Sequence, residues 1–383
     1  MLIGHPIGGV VSQVVLWCEQ VNVHYSAWLR ALASMEGLSV KVVASMEVSP
    51  ERKQLGWTPA SIAPAEAMIV SSPRGLADAL ASCEADAVHI VEGIRGTSIA
   101  RLALKMLVAG GCRVGIISER GDNRGVRGLV RRLLYTTHLR RLRGKIDFVL
   151  AMGDSGVKWY TSCGAPGNRV FPFAYVAGAP ALSGRSKRMW GSENLFRIVY
   201  LGQCVERKGI QDLLEALKKI DHGRVSLSVI GDGYLRSRLE ATVGRSMSLR
   251  DRVEFVGAMP YCEAVASISD FDLLVLPSRF DGWGVVVNEA LMQGVPVVCS
   301  DECGAKDLLA ESWRGGVFRA GSAQSLANEL ASRVRFGRPS SGQREQLKEW
   351  GRRIDGESIA KYLMSILGHV YAAWDEADPP WMG

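Results

Sequence analysis

The stretch "SRFDGWGVVVNEALMQGVPVV" runs from Ser278 to Val298 and sets two acids eight positions apart, Asp281 and Glu289, with Gly-Trp-Gly between them. The residues before it, "FDLLVLPS", form a short apolar run that reads as a buried strand. The residues "GVVVNEALMQG" read as a helix closed by Gly294. Asp281 therefore falls at the carboxyl end of a strand, and Glu289 about one turn inside the following helix. Helix starts after parallel strands present free backbone N–H groups, which suit phosphates and nucleotides.

Working outward, the same alternation runs along the chain. On the amino-terminal side, strands are read at "VVSQVVLW", "LSVKVVAS", "DAVHIVEG", "CRVGIISE", "DFVLAMG" and "NRVFPFAY". Helices are read between them at "HYSAWLRALASM", "GLADALASCE", "GTSIARLALKMLVAGG" and "SGVKWYTSCG". A polar stretch without periodicity follows, from about Ala177 to Asn194. The alternation then restarts with "FRIVYLGQ", "VSLSVIGDG", "RVEFVGAMP", "FDLLVLPS" and "VPVVCSD" as strands. Strands that are apolar throughout belong to parallel sheets covered on both faces. The expected class is α/β: two Rossmann-like doubly wound domains facing across a cleft. Their bounds are expected at 1–180 and 195–345, with a helical tail over 346–383 packing back toward the first domain.

The chain has 383 residues, 47% hydrophobic and 22% charged, which fits a folded protein of two ordinary domains. No apolar run approaches the ~18–20 residues of a membrane-spanning helix. The apolar start lacks a basic leader and is read as part of the first strand region. Eight cysteines are scattered without a CxxC pair, which predicts reduced core thiols and no zinc site. The net charge is +7, and residues 120–145 hold nine Lys or Arg against one acid, Asp122. Leu129, Val130, Leu133, Leu134 and Leu142 are interleaved with them. Two readings are open for this segment: a helix lying on an anionic membrane surface, or an ordinary amphipathic helix with a solvated basic side. Nucleic-acid binding is disfavoured, because no aromatic platform accompanies the charge.

Three motifs in order resemble the retaining glycosyltransferase family 4, most strongly from about Phe196 to Leu309. They are "LGQCVERKG" (Leu201 to Gly209), "VIGDG" (Val229 to Gly233) and the opening acid pair, which resembles the family's Glu-x7-Glu motif. The resemblance implies the glycosyltransferase B fold. It also implies a nucleotide-sugar donor, bound by Gly202, Gln203, Arg207, Lys208, Gly231, Asp281, Gly282, Trp283, Gly284, Val285 and Glu289. Lys208 would contact the diphosphate. The family often has a basic residue where Gln203 stands, and Arg207 would supply that charge through paired hydrogen bonds. Glu289 would accept both ribose hydroxyls. Asp281, one methylene shorter than the family's glutamate, would meet the donor sugar, and the glycine backbone between would hold the middle of the donor.

Asp281, Glu289, Lys208 and Glu119 are the catalytic candidates. The implied reaction is retaining transfer, with the leaving diphosphate helping to deprotonate the acceptor and no metal or cofactor required. Asn22, His24 and Glu92 are acceptor-side candidates at strand ends of the first half. "IGG" at Ile7 to Gly9 is an alternative glycine loop there, and His89 reads as a core histidine. The acceptor expected is a glycan, lipid-linked, in surface polysaccharide assembly, with the enzyme cytoplasmic and peripheral on the inner membrane face. The competing classes are a soluble enzyme acting on a small metabolite, a nucleotide-sugar epimerase of the same fold, and a non-catalytic nucleotide-sugar-binding protein.

Overall fold

The computed structural model describes residues 10–54, 58–96, 98–176, 178, 195–220, 225–376 and 378–382. The candidate loop at Ile7 to Gly9, and the interdomain stretch apart from Gly178, lie outside the described residues. The chain divides into two compact units, one drawn from 1–53, 58–178 and 353–383, the other from 54–57 and 179–352.

In the first unit the elements run β1 (Gln13–Gln20), α1 (Val23–Ala33), β2 (Ser39–Met46), α2 (Pro50–Gln54), β3 (Glu66–Ile69) and α3 (Pro73–Ala81). They continue as β4 (Val88–Glu92), α4 (Ser98–Ala109), β5 (Arg113–Ser118), α5 (Gly125–Arg141), β6 (Phe148–Met152), α6 (Gly153–Ser162) and β7 (Val170–Phe173). The strands form one parallel sheet in the order β3-β2-β1-β4-β5-β6-β7. Its middle strands are buried along most of their length, as their unbroken apolar runs predict. Trp17, Val43, Val91, Ile116, Val149 and Tyr160 share its core. Each such side chain contributes roughly 1.5–3 kcal/mol by leaving water.

The second unit holds β8 (Phe196–Leu201), α7 (Ile210–Leu217), β9 (Val225–Ile230), α8 (Arg236–Gly244), β10 (Val253–Gly257), α9 (Tyr261–Ser267) and β11 (Leu273–Leu276). It ends with α10 (Val286–Met292), β12 (Val297–Ser300), β13 (Gly315–Phe318), α11 (Ala323–Phe336) and α12 (Ser341–Gly351). This sheet is also parallel, in the order β10-β9-β8-β11-β12-β13. The strand order reverses direction between β8 and β11 here, and between β1 and β4 in the first sheet. The last helix, α13 (Gly356–Ala372), packs on α1 in the first unit, whereas α12 packs on α10 in the second. The base of the second sheet is tied by Asp272, fully buried at the start of β11. Its carboxylate meets Arg344 at 3.0 Å, Arg338 at 3.1 Å and Arg197 at 3.8 Å.

Some elements differ from the sequence reading. β1 reaches Gln20, three residues beyond the expected end, because Cys18 and Gln20 still pair with β2. β3 has the sequence "EAMI" with three of its four positions exposed, so it carries no apolar run to betray it, and it forms by register against β2. The cysteines are free, and five are buried, but Cys262 is exposed rather than in a core. For α5 the sequence left two readings open. An ordinary amphipathic helix would bury its apolar residues, yet Leu129, Val130, Leu133 and Leu134 are exposed while Gly128 and Leu139 are buried. The helix is seated by Leu139, which lies in the core, and by the Tyr135 ring, 5.4 Å from that of Trp159 and 6.0 Å from that of Tyr160.

Candidate functional site

The second sheet brings the loops that carry Lys208 and Asp281 together at its switch point, the usual ligand position in doubly wound sheets. β8 and β11 are neighbours, so the loops leaving their carboxyl ends lie side by side. The first loop passes Gly202, Gln203 and Cys204, makes a 3-10 turn over Glu206–Lys208, and enters α7 through Gly209. Gly209 has φ +66°, and a Cβ there would lie 2.0 Å from the Pro277 carbonyl oxygen. Only glycine permits that approach of the two loops. A second constraint sits at Gly231, φ +138°, where a Cβ would lie 1.9 Å from the Gly202 oxygen. The loops are stitched by the Arg279 N–H donating to the Arg207 carbonyl at 2.8 Å, and the Tyr200 hydroxyl donates to the Gln203 carbonyl at 2.6 Å. The Gln203 residue itself is exposed.

This geometry places Lys208 on Asp281. Lys208 Nζ donates to Asp281 Oδ2 at 2.6 Å, the Ser278 hydroxyl donates to the same oxygen at 3.1 Å, and Arg207 Nη1 lies 3.8 Å from Oδ1. Arg207 also donates to the Phe280 carbonyl at 3.0 Å. Burial by itself would push the Asp281 carboxyl up, but the Lys208 ammonium, with Arg207 and Ser278, holds it below its ordinary value. Its backbone is pinned from both sides. Asp281 N–H donates to Glu302 O at 3.1 Å, and Gly304 N–H donates to Asp281 O at 3.2 Å.

Gly282 is buried, Gly284 takes φ +92°, and Val285 is half-buried ahead of α10. The Trp283 side chain is fully buried, with its indole N–H donating to Asn288 Oδ1 at 2.9 Å. What this segment can offer a ligand is therefore backbone. Glu289 lies in α10, 4% exposed, and Tyr261 at the start of α9 donates to its Oε1 at 2.6 Å. Burial raises the Glu289 carboxyl to about 7, against a smaller lowering by the Tyr261 hydrogen bond. Glu289 thus keeps its proton to a higher pH than an ordinary glutamate does. Beside the pair, Arg279 grips Asp212 of α7 with two hydrogen bonds of 2.9 Å.

Tyr261, Ser278 and the Arg279–Asp212 pair went unread in the sequence. Tyr261 follows Pro260 at a helix start, which is a structural signal only. Its partner stands 28 positions further on, beyond any local pattern.

The remaining candidates belong to the first unit. Asn22 caps α1, its Oδ1 accepting from the His24 N–H at 3.2 Å and from Arg52 Nη1 at 3.1 Å. His24 lies inside α1 with its ring 6.2 Å from that of Tyr175. Glu92 closes β4; its carboxylate accepts from the Tyr25 hydroxyl at 2.9 Å and the Glu19 N–H at 3.0 Å, and burial raises it. Both of its oxygens are thus bonded to the chain's own donors. Glu119 follows β5, half-buried, and its charge adds to burial in raising the Tyr175 and Tyr135 phenols. His89 is 2% exposed, its Nδ1 accepts from the Trp17 indole at 3.1 Å, and burial lowers it to about 4.

Two parallel doubly wound sheets in one chain match the architecture of the glycosyltransferase B fold. HepE from Anabaena, whose crystal structure was solved in complex with UDP, superposes with a TM-score of 0.68 over 93% of this chain and 100% of that chain. At 14% identity this likeness establishes the fold. Residues 186–353, which lie almost wholly in the second unit, match the family model described as "Glycosyl transferases group 1". An alpha-D-kanosaminyltransferase from Streptomyces kanamyceticus is 31% identical over 159 residues, 39% of this chain and 41% of the relative. The amylovoran biosynthesis glycosyltransferase AmsK from Erwinia amylovora is 30% identical over 139 residues, 34% of each chain. The matches thus span less than half the length of these curated relatives.

Proposed function

We propose that this chain is a retaining, metal-independent glycosyltransferase that moves a hexosyl group from a nucleotide sugar to a glycan acceptor. The observation that carries the proposal is the Lys208–Asp281 pair at the switch point, with Arg207 beside it. An incoming diphosphate offers Lys208 a stronger partner than one carboxylate, and takes the ammonium from Asp281. The freed carboxylate then accepts from sugar hydroxyls. Glu289, keeping Tyr261 on Oε1, accepts from the ribose. Gly282 and Gly284 let backbone N–H groups approach the oxygens between. As the anomeric bond breaks, Lys208 and Arg207 stabilise the charge that develops on the leaving diphosphate. The leaving oxygen takes the acceptor's proton from the same face, which retains the configuration. The similarity over residues 186–353 supports this reading, and the AmsK relative supports a glycan acceptor in surface polysaccharide assembly. The exposed apolar stripe of α5 supports a lipid-linked acceptor reached from the inner membrane face.

The test is a thermal shift of the purified chain against UDP, GDP, dTDP and ADP sugars. A ligand specific to the native state adds ~2.7 kcal/mol at a hundred times its dissociation constant. One nucleotide sugar should shift the melt, and Lys208→Ala and Glu289→Ala should each weaken that shift. Turnover of that donor, with product anomeric configuration read by NMR, then tests retention. Donor binding without transfer to any glycan acceptor would favour a non-catalytic binding protein.

A further inference from the structure

The exposed face of α5 is unusual for a helix on a folded unit. Val126 is 78% exposed, Leu129 69%, Val130 52% and Leu133 66%. These positions follow i, i+3, i+4, i+7, so they form one stripe. At 100° per residue, Gly128, Tyr135 and Leu139 fall on the opposite side, where the helix meets its unit. The helix thus has two apolar faces, and its own fold covers one. Contiguous exposed apolar surface of this kind marks an interaction site.

The charges around the stripe select the partner. Asp122, the one acid of residues 120–145, is taken by Arg124 through hydrogen bonds of 2.8 and 2.9 Å. Arg127, Arg140, Arg141, Arg143 and Lys145 are exposed around the stripe and past the end of the helix. A second copy of the chain would bring two such arrays together and repel. A surface of anionic headgroups over hydrocarbon matches both features, since cations meet phosphates while leucines enter the acyl boundary. Among the described residues no helix is long and apolar enough to cross a membrane.

We propose that α5 is a docking helix for an anionic lipid surface, with Val126, Leu129, Val130 and Leu133 inserted and the flanking arginines on the headgroups. The helix starts shortly after the carboxyl end of β5, at the end of its sheet that also carries Asn22 and Glu92. Docking there would hold that end of the first unit close to the bilayer. This goes beyond the donor chemistry above and rests on the first unit alone.

The experiment is cosedimentation of the full chain with phosphatidylcholine vesicles, with and without phosphatidylglycerol, at low and high salt. The chain should sediment with the anionic vesicles only, and high salt should release it. Leu129→Asp/Leu133→Asp should cut the bound fraction at least about tenfold, with melting temperature and nucleotide affinity unchanged because both positions are exposed. Failure to bind anionic vesicles at low salt overturns the proposal, as does undiminished binding by the double variant. A concentration-dependent dimer that Leu133→Asp dissolves, without vesicle binding, assigns the stripe to a second copy and overturns it too. Vesicle binding by a chain that binds no nucleotide sugar would sink the glycosyltransferase reading and leave this one standing.

Discussion

Replacing Lys208 by methionine separates the two roles of that side chain. The Lys208 and Asp281 side chains are 16% and 11% exposed and meet at 2.6 Å. With an effective dielectric constant of 20, Coulomb's law gives about 6 kcal/mol of gross attraction at that distance. Desolvation of both ions offsets most of it, and breaking a fully buried pair typically costs about 3–5 kcal/mol. Here Asp281 keeps Ser278 at 3.1 Å and Arg207 at 3.8 Å, which lowers the expected loss. Lys208→Met should therefore destabilise the second unit by about 2–3 kcal/mol. The companion Lys208→Met/Asp281→Leu removes both charges and should recover most of that stability, since a well-packed apolar pair is often as stable as a buried ion pair. Neither protein should bind a nucleoside diphosphate normally. Urea melts of the wild type, both single variants and the double variant form a cycle, and isothermal titration with the nucleotide supplies the second reading. A coupling energy below about 0.5 kcal/mol would refute the ion pair. Wild-type nucleotide affinity in Lys208→Met would refute the phosphate role whatever the cycle shows.

Other outcomes follow from the same geometry. If ionised Glu289 accepts the ribose hydroxyls, nucleotide affinity should fall as pH drops through about 7, by about tenfold at pH 6; Glu289→Gln should flatten that profile, and an unchanged profile would count against the assignment. The same raised carboxyl contributes stability that is complete below its ordinary value and lost as pH rises through about 7, which melts of wild type and Glu289→Gln across that window should show. Gly209→Ala puts a Cβ 2.0 Å from the Pro277 oxygen at φ +66° and should cost about 2 kcal/mol or more, measured by urea unfolding; a neutral result would mean that the two loops are free to separate. Asp272→Asn leaves Arg197, Arg338 and Arg344 without their shared carboxylate and should lower stability by about 3 kcal/mol, with nucleotide affinity retained because Asp272 lies at the opposite end of β11 from the switch-point loops.

The alternation of apolar strands and periodic helices was readable along most of the chain, because each depends on residues within a few positions of one another. So was the placing of Asp281 at a strand end and Glu289 inside the next helix, and of Lys208 just before a helix opened by glycine. β3 was not readable, since "EAMI" has no pattern of its own and pairs only because β2 is already in place. The apolar spacing of α5 was visible, but whether that stripe faced the core or solvent was not. Tyr135 and Leu139 decide it by docking the opposite side.

The sequence by itself determined two doubly wound units and the loops on which the motif residues sit. Only the tertiary structure decided which of those residues meet. Lys208 and Asp281 are 73 positions apart, and Tyr261 and Glu289 are 28 apart. Their contacts follow from β8 lying beside β11 and from α9 packing on α10. The structure likewise committed Asn22 to a helix cap and Glu92 to Tyr25 and a backbone N–H. Local propensity and periodicity act over one or two turns of chain. Strand order and packing set the long-range pairings, and with them the electrostatics that hold Asp281 ionised and lift Glu289 to about 7.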